Sequence, residues 1–334
     1  MTSTSNALLG VDVGATAMSA GIVTTDGAVL SVGQSVTHRD GPGTILDTLL
    51  GLVGEQVAWA QEERVTVEAI GIGLPGVVDA DAGTLRKGVH LLPELSGVPI
   101  AARLTVKTGI PVLVDNDVNA VALGEWIWGH GRGARSLAIL AIGTGVGGAL
   151  ILDGRLVRGQ SGHAGEFGHV SIALDGRRCS CGSRGCLAAY VSGAYIAEEA
   201  ERRTTPIIRS ASGGDHEAPT ITTRMVFEAA AAGDTAARAI VDEATRALGA
   251  GLAHIVNGYN PDVIIVTGGV VGSLLPLRDE IVAFAGEYAL ADALAATRIH
   301  FVVGDKNQTV RGGAALVLYE RIIHAATRWP RTAA

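Results

Sequence analysis

The three cysteines of this 334-residue chain, Cys179, Cys181 and Cys186, fall in one segment, GEFGHVSIALDGRRCSCGSRGC, with Glu166 and His169 just upstream. One imidazole and three thiolates at that spacing can close a tetrahedral zinc site. The alternative is three unrelated buried thiols, but no cysteine occurs elsewhere in the chain. A Cys179–Cys181 disulfide would be strained, because only one residue separates the two. Metal closure would pin the loop that carries Glu166 and His169. A histidine bound to zinc through one ring nitrogen keeps the other as a donor, and Glu166 supplies an acceptor. Fixed donors and acceptors in a row suit a polyol, which offers many hydroxyls and little apolar surface.

Three glycine turns and one acidic triplet carry the remaining chemistry. Asp12-Val13-Gly14-Ala15-Thr16 ends an apolar run, and a tight turn there would expose backbone N–H groups to phosphate oxygens. Asp12 can hold Mg²⁺ through water; a plain hairpin is the alternative. Gly143-Thr144-Gly145-Val146-Gly147-Gly148 repeats the pattern. It is neither a dinucleotide fingerprint, since strand-like residues follow it, nor a Walker A loop, since it lacks the Lys-Ser/Thr pair. Thr267-Gly268-Gly269 offers a third close-approach surface, suited to an adenosine or simply to helix–strand packing. Asp115-Asn116-Asp117 sits at a strand-to-helix junction. Asn116 or Asp117 can cap the helix. One carboxylate can also act as general base for a hydroxyl attacking a phosphoryl group, with Asn116 orienting the acceptor.

The elements that must position these residues read as α/β. Apolar runs predict strands at 7–13, 18–24, 28–36, 66–73, 111–114, 136–142, 149–152, 262–266 and 299–303. Turn signals at Asp26-Gly27 and Asp153-Gly154 predict hairpins. Helical periodicity covers 45–62, capped by Thr44, and 99–108, 118–128, 225–232, 235–259 and 312–327. The polar, glycine-containing stretch 204–220 predicts a flexible loop. Both halves open with strands, a hairpin and a glycine turn, a weak internal duplication. Two such lobes would leave a cleft for ligands.

The net charge of −7 and the lack of a Lys/Arg run argue against a nucleic-acid binder. No apolar stretch predicts a membrane span, and MTSTSNALLG has no signal-peptide pattern. With the clustered thiols this gives an expectation of a cytoplasmic protein without membrane partners.

Together these segments resemble the ROK family of sugar kinases, within the actin-like, hexokinase-like ATPases. The resemblance rests on DVGAT, GLPGVVD at 73–79, DNDVNAVALGE at 115–125, GTGVGG at 143–148, GEFGH at 165–169, CSCGSRGCL at 179–187 and NPDVIIVTGGV at 260–270. It implies two actin-like (ribonuclease H-like) lobes with a nucleotide cleft between them. One lobe would span 1–116 with 307–334, the other 117–306 with a zinc-clip segment at 165–187. Asp117 matches the family's catalytic base. Gly76, Asn116, Glu166 and His169 match its sugar site, and His169, Cys179, Cys181 and Cys186 its zinc ligands. Asp12, Gly14, Ala15, Thr16, Gly143, Thr144 and Gly145 match the phosphate loops, and Gly268 and Gly269 the nucleotide loop.

The implied activity is ATP- and Mg²⁺-dependent phosphorylation of a primary hydroxyl of a hexose, in a glucokinase-like homodimer or homotetramer with structural Zn²⁺. Two segments depart from the pattern. Ala188 stands where the family usually has a Glu that binds sugar hydroxyls, a change worth about 1.5–3 kcal/mol of affinity. A C7-cyclitol, inositol or N-acyl amino sugar is therefore the alternative acceptor. Gly14-Ala15-Thr16-Ala17 replaces the usual Gly-Gly-Thr-Lys. A second alternative, a sugar-responsive transcription regulator, would add a helix-turn-helix; only six residues precede the first strand here.

Overall fold

In the computed structural model, residues 5–38, 44–86, 92–203 and 221–327 are described, and the loop expected at 204–220 lies outside them. The chain divides into two compact units. Unit 1 holds the described residues up to Gly133, Arg158–Ala164 and those from Asp305 onward; unit 2 holds Ala134–Val157 and those from Gly165 to Gly304.

Unit 1 is built on the strands β1 (Ser5–Val13), β2 (Ala17–Thr24), β3 (Val29–Val36), β4 (Val65–Leu74) and β7 (Val112–Asn116), in the order β3-β2-β1-β4-β7. β1 and β2, and β2 and β3, pair antiparallel; β4 and β7 continue the sheet in parallel. β5 (Val78–Asp79) and β6 (Thr84–Leu85) form a small ribbon beside it. The interior strands are buried on both faces, as their unbroken apolar runs require. α1 (Ile45–Glu62) starts where the sequence predicts. Thr44 Oγ1 accepts from Asp47 N–H while Asp47 accepts from the Thr44 N–H, a reciprocal capping box. Ile45, Leu49, Leu52 and Val53 then turn into the core, and α2 (Ile100–Thr108) joins it through Ile100 and Leu104.

α3 (Asp117–Trp128) and α11 (Lys306–Thr327) pack together in the same unit. Helix 117–128 therefore belongs with the first strands, not beyond the expected division at 116/117. α11 also begins six residues before the expected Gly312. The glycine pair does not open the helix; it lets the helix close on the sheet through Gly313 and on α3 through Gly312. A Cβ on Gly313 would lie 2.5 Å from Val11 N, and one on Gly312 2.9 Å from the Ala120 carbonyl carbon.

Unit 2 repeats the plan. β8 (Leu137–Ile142), β9 (Val146–Leu152), β10 (Arg155–Leu156), β11 (Val263–Thr267) and β12 (Arg298–Val302) run in the order β10-β9-β8-β11-β12. The first three pair antiparallel and the last two are parallel to β8. This is the strand order of unit 1, so the weak duplication of the sequence is a duplication of topology. α4 (Ala188–Val191), α5 (Gly193–Arg203), α6 (Thr223–Ala231), α7 (Thr235–Tyr259), α8 (Val271–Leu274), α9 (Arg278–Gly286) and α10 (Ala291–Ala296) complete it. α7 matches its predicted bounds, with Asp234 capping Ala236 N–H and Ala237 N–H and Asn260 ending it in the left-handed region. Among the described residues, no helix is long and apolar enough to cross a membrane.

Candidate functional site

In unit 1, parallel pairing brings three of the expected segments to one sheet edge. Asp12 pairs with Gly73, Gly73 with Asp115, and Leu74 with Asn116. The loops that follow β1, β4 and β7 therefore emerge side by side, because parallel strands end together. Asn116 caps α3: its Oδ1 accepts from Val118 N–H at 2.9 Å and Asn119 N–H at 3.1 Å. Its Nδ2 donates to the Gly76 carbonyl at 3.1 Å, tying the 74–79 loop to the helix start. Gly76 has φ +89°, a conformation that penalises any side chain. Asp117 opens the helix, half-buried, with Oδ1 2.9 Å from Val118 N.

Asp12 stands apart from these groups electrostatically. Burial raises its pKa to about 6, and a hydrogen bond from Thr309 only partly offsets this. A carboxylate so placed gains from a cation. The turn after it is closed by Gly14 N–H to the Ala17 carbonyl at 3.0 Å and braced by Thr37 Oγ1 on the Gly14 carbonyl at 2.6 Å. Thr16 is exposed at the tip, with Ala15 half-buried beside it.

In unit 2 the turns after β8 and β11 hold no carboxylate among the described residues. The turn between β8 and β9 holds Gly143, Thr144 and Gly145, with Gly143 N–H donating to the Gly145 carbonyl at 2.9 Å. Gly193 N–H and Ala194 N–H, at the start of α5, donate to the carbonyls of Gly143 and Thr144. Gly268 follows β11 at φ +105°; a Cβ there would lie 2.5 Å from the Ile142 carbonyl oxygen. Only glycine fits, and the Gly268-Gly269 turn thus lies against the end of β8 beside the Gly143 turn. A cavity of about 460 Å³ borders Gly269, lined also by Arg224, Phe227, Arg238, Ser273 and Leu277. Sequence reasoning missed Arg224, Phe227 and Arg238, which sit on helices with no motif; the only signal was their position after the polar stretch.

The second feature of unit 2 is the cysteine loop. Glu166 and His169 are exposed on either end of one tight turn, with His169 N–H on the Glu166 carbonyl at 2.9 Å. Phe167 between them is buried and meets Tyr259 edge-on, ring centroids 5.6 Å apart. The ligand atoms of His169, Cys179, Cys181 and Cys186 all lie within 4.8 Å of one another. His169 Nδ1 is 3.6 Å from Cys179 Sγ, so the imidazole faces the thiols through Nδ1. The three cysteines form no disulfide with one another. The Ser183 backbone N–H lowers the Cys181 pKa to about 6, favouring thiolate; burial pushes Cys186 up to about 12. The donor set and spacing fit a tetrahedral zinc. Arg177 braces the loop: its N–H donates to Tyr190 Oη at 3.0 Å and its guanidinium lies 4.9 Å over that ring.

The site residues expected from sequence thus fall into two groups. Asp12, Gly14, Ala15, Thr16, Gly76, Asn116 and Asp117 gather at the edge of unit 1. Gly143, Thr144, Gly145, Gly268 and Gly269 gather at the edge of unit 2, which also holds Glu166, His169 and the cysteines.

The chain is similar to several known proteins. The chain is 32% identical over 284 residues to a glucokinase of Halalkalibacterium halodurans, covering 83% of this chain and 86% of that one. It is 31% identical over 280 residues to the DNA-binding transcriptional repressor Mlc of Escherichia coli, covering 82% of this chain and 66% of the repressor. The crystal structure of a ROK family glucokinase from Streptomyces griseus, in complex with glucose and AMPPNP, superposes with a TM-score of 0.74 at 32% identity, covering 92% of this chain and 98% of that one. The ROK family profile matches residues 8–320, which take in both sheet edges and the cysteine loop, and the chain belongs to the ROK family.

Proposed function

We propose that the protein is an ATP-dependent kinase that phosphorylates a primary hydroxyl of a hexose. The observation that carries this is the sheet edge of unit 1, where one register aligns Asp12, Gly73 and Asp115 and sets Asp117 at a capped helix start. Asp117 takes the proton of the acceptor hydroxyl, whose oxygen attacks the γ-phosphorus of ATP, and ADP leaves. Asn116 and the Gly76 loop orient the acceptor. Glu166 and the ring nitrogen of His169 that faces away from the thiols grip other hydroxyls. The Gly14–Thr16 and Gly143–Gly145 turns offer backbone N–H groups to the phosphates. The cavity beside Gly269 takes the nucleoside, with Phe227 and the two arginines as its walls.

Two metals belong to this reading. Zinc would be held by His169, Cys179, Cys181 and Cys186 and would fix the orientation of His169. Magnesium would be held by Asp12 and would neutralise phosphate charge. Glucokinase-like activity is supported by the similarity to the two glucokinases.

A second reading keeps the kinase and changes the acceptor. Ala188 is buried at the head of α4 and offers a hydroxyl no partner. This favours a C7-cyclitol, inositol or N-acyl amino sugar over glucose. A panel of glucose, mannose, N-acetylglucosamine, N-acetylmannosamine and cyclitols, followed by ADP release, decides between them. Glucose turning over best supports the hexose reading. Turnover confined to cyclitols or amino sugars supports the second, and a gain on glucose from Ala188→Glu would attribute the preference to that position.

A further inference from the structure

Residues 158–164 follow the second sheet yet fold with unit 1, where Arg158 meets a buried carboxylate. Asp115, directly before the Asn116-Asp117 pair, has a side chain only 5% exposed. A buried carboxylate is costly without a cation. Arg158 supplies it: both Nε and Nη2 lie 2.7 Å from Asp115 Oδ2, and Nη2 reaches Glu320 Oε1 at 3.3 Å. Burial works against the Arg158 charge, yet Asp115 and then Glu320 raise its pKa above the ordinary value. The opposite oxygen of Asp115 faces the helix start. Oδ1 accepts from Asn116 N–H at 2.7 Å and from Asn119 Nδ2 at 2.9 Å.

The same loop touches the acceptor side. Ala164 N–H closes it on the Arg158 carbonyl at 3.1 Å, and Gly162 lies close enough to Val77 that a Cβ there would be 3.2 Å from Val77 Cγ1. Val77 follows Gly76, whose carbonyl holds Asn116 Nδ2. Asn116 is thus gripped through its backbone by the Arg158–Asp115 pair and through its side chain by the loop on which Gly162 rests.

We propose that Arg158 is a positioning residue for phosphoryl transfer. Through Asp115 it fixes the first turn of α3, and with it the direction in which Asp117 points at the acceptor hydroxyl. This rests on Asp117 as the base. With Arg158 shortened, the buried Asp115 carboxylate loses its cationic partner and the first turn loosens. An error of about 1 Å at a reacting group lowers turnover by roughly a hundredfold.

The test is steady-state kinetics on four variants: Arg158→Gln, Arg158→Lys, Arg158→Gln with Asp115→Asn, and Asp117→Asn. Melting curves confirm that each is folded. Arg158→Gln should lower kcat by about tenfold to a hundredfold while the KM values for acceptor and ATP move less than about threefold. Arg158→Lys keeps the charge but not the two-nitrogen grip, and should fall between parent and glutamine variant. The double variant removes the stranded anion and should recover part of kcat. A residue that only supports the fold would change the melting temperature and leave kcat per folded molecule alone. The inference is overturned if Asp117→Asn abolishes turnover while folded Arg158→Gln keeps kcat within about twofold. If Asp117→Asn turns over normally, the reading of Asp117 as base fails first, and this failure is distinct.

Discussion

The two units share a strand order and differ in what they place at the ends of those strands. In each, a hairpin leads to a strand that two parallel strands extend, so loops after three strands meet at one edge. Unit 1 fills that edge with carboxylates: Asp12, Asp115 and Asp117. In unit 2 the turns after β8 and β11 instead hold Gly143, Gly145, Gly268 and Gly269 and the hydroxyl of Thr144. Carboxylates suit proton removal and a cation; bare backbone suits anionic phosphate oxygens and close approach. Topology sets where the loops lie, and residue type sets which half of a phosphoryl transfer each can serve.

The units also differ in how they hold their exposed loops. Unit 1 uses an ion pair, Arg158 on Asp115; unit 2 uses three thiols and an imidazole. The largest expected effect breaks the second device. Metal analysis of the purified protein should find about one zinc per chain, as a single four-ligand site requires. Cys186→Ser should lose it. Structural zinc sites contribute on the order of 10 kcal/mol of apparent binding energy, comparable to the stability of a whole domain. The variant should therefore melt far below the parent and lose activity, measured by calorimetry and ADP release. An unchanged melting temperature without zinc would show that the thiols are only packed.

A sharper test exchanges one glycine from each edge. Gly268→Ala places a methyl group against the Ile142 carbonyl, and Gly76→Ala puts a side chain at φ +89°. Strain of this kind costs about 1–3 kcal/mol. Gly268→Ala should raise the KM for ATP about tenfold with the acceptor KM little changed. Gly76→Ala should do the reverse. The same pattern from both variants would contradict the division of labour between the edges.

The sequence made the duplication visible because the glycine turns interrupt apolar runs at matching places. It made the cap at Thr44 and the ends of α7 visible because capping is local chemistry. It placed α3 in the wrong unit because its partner, α11, lies about two hundred residues away. Gly312 and Gly313 misled for a related reason: a glycine pair reads as a helix boundary until the strand it touches is known. Arg158 was invisible as a partner of Asp115 because nothing in RLVRGQSG marks a residue that crosses back to the other unit. Arg224 and Phe227 were missed because cavity walls have no spacing rule.

The smallest expected effect concerns Asp12. Its folded pKa of about 6 lies above the ordinary 3.8, so folding disfavours its ionised form. Below about pH 4 it is protonated in both states and costs nothing; the penalty grows as pH rises and is complete above about pH 6. Without added magnesium, Asp12→Asn should melt a few degrees higher than the parent at pH 8 and at the same temperature near pH 4. Magnesium should raise the melting temperature of the parent and not of the variant. A variant less stable than the parent at pH 8 would show that Asp12 is held as a favourable anion.

The most direct test of the proposed reaction measures binding and turnover on the same Asp117→Asn protein. Titration calorimetry should show the acceptor and a non-hydrolysable ATP analogue binding within about threefold of the parent, while ADP release with magnesium and acceptor falls by about 10² to 10⁴. Turnover by the variant within a few-fold of the parent would contradict the assignment of Asp117 as the base.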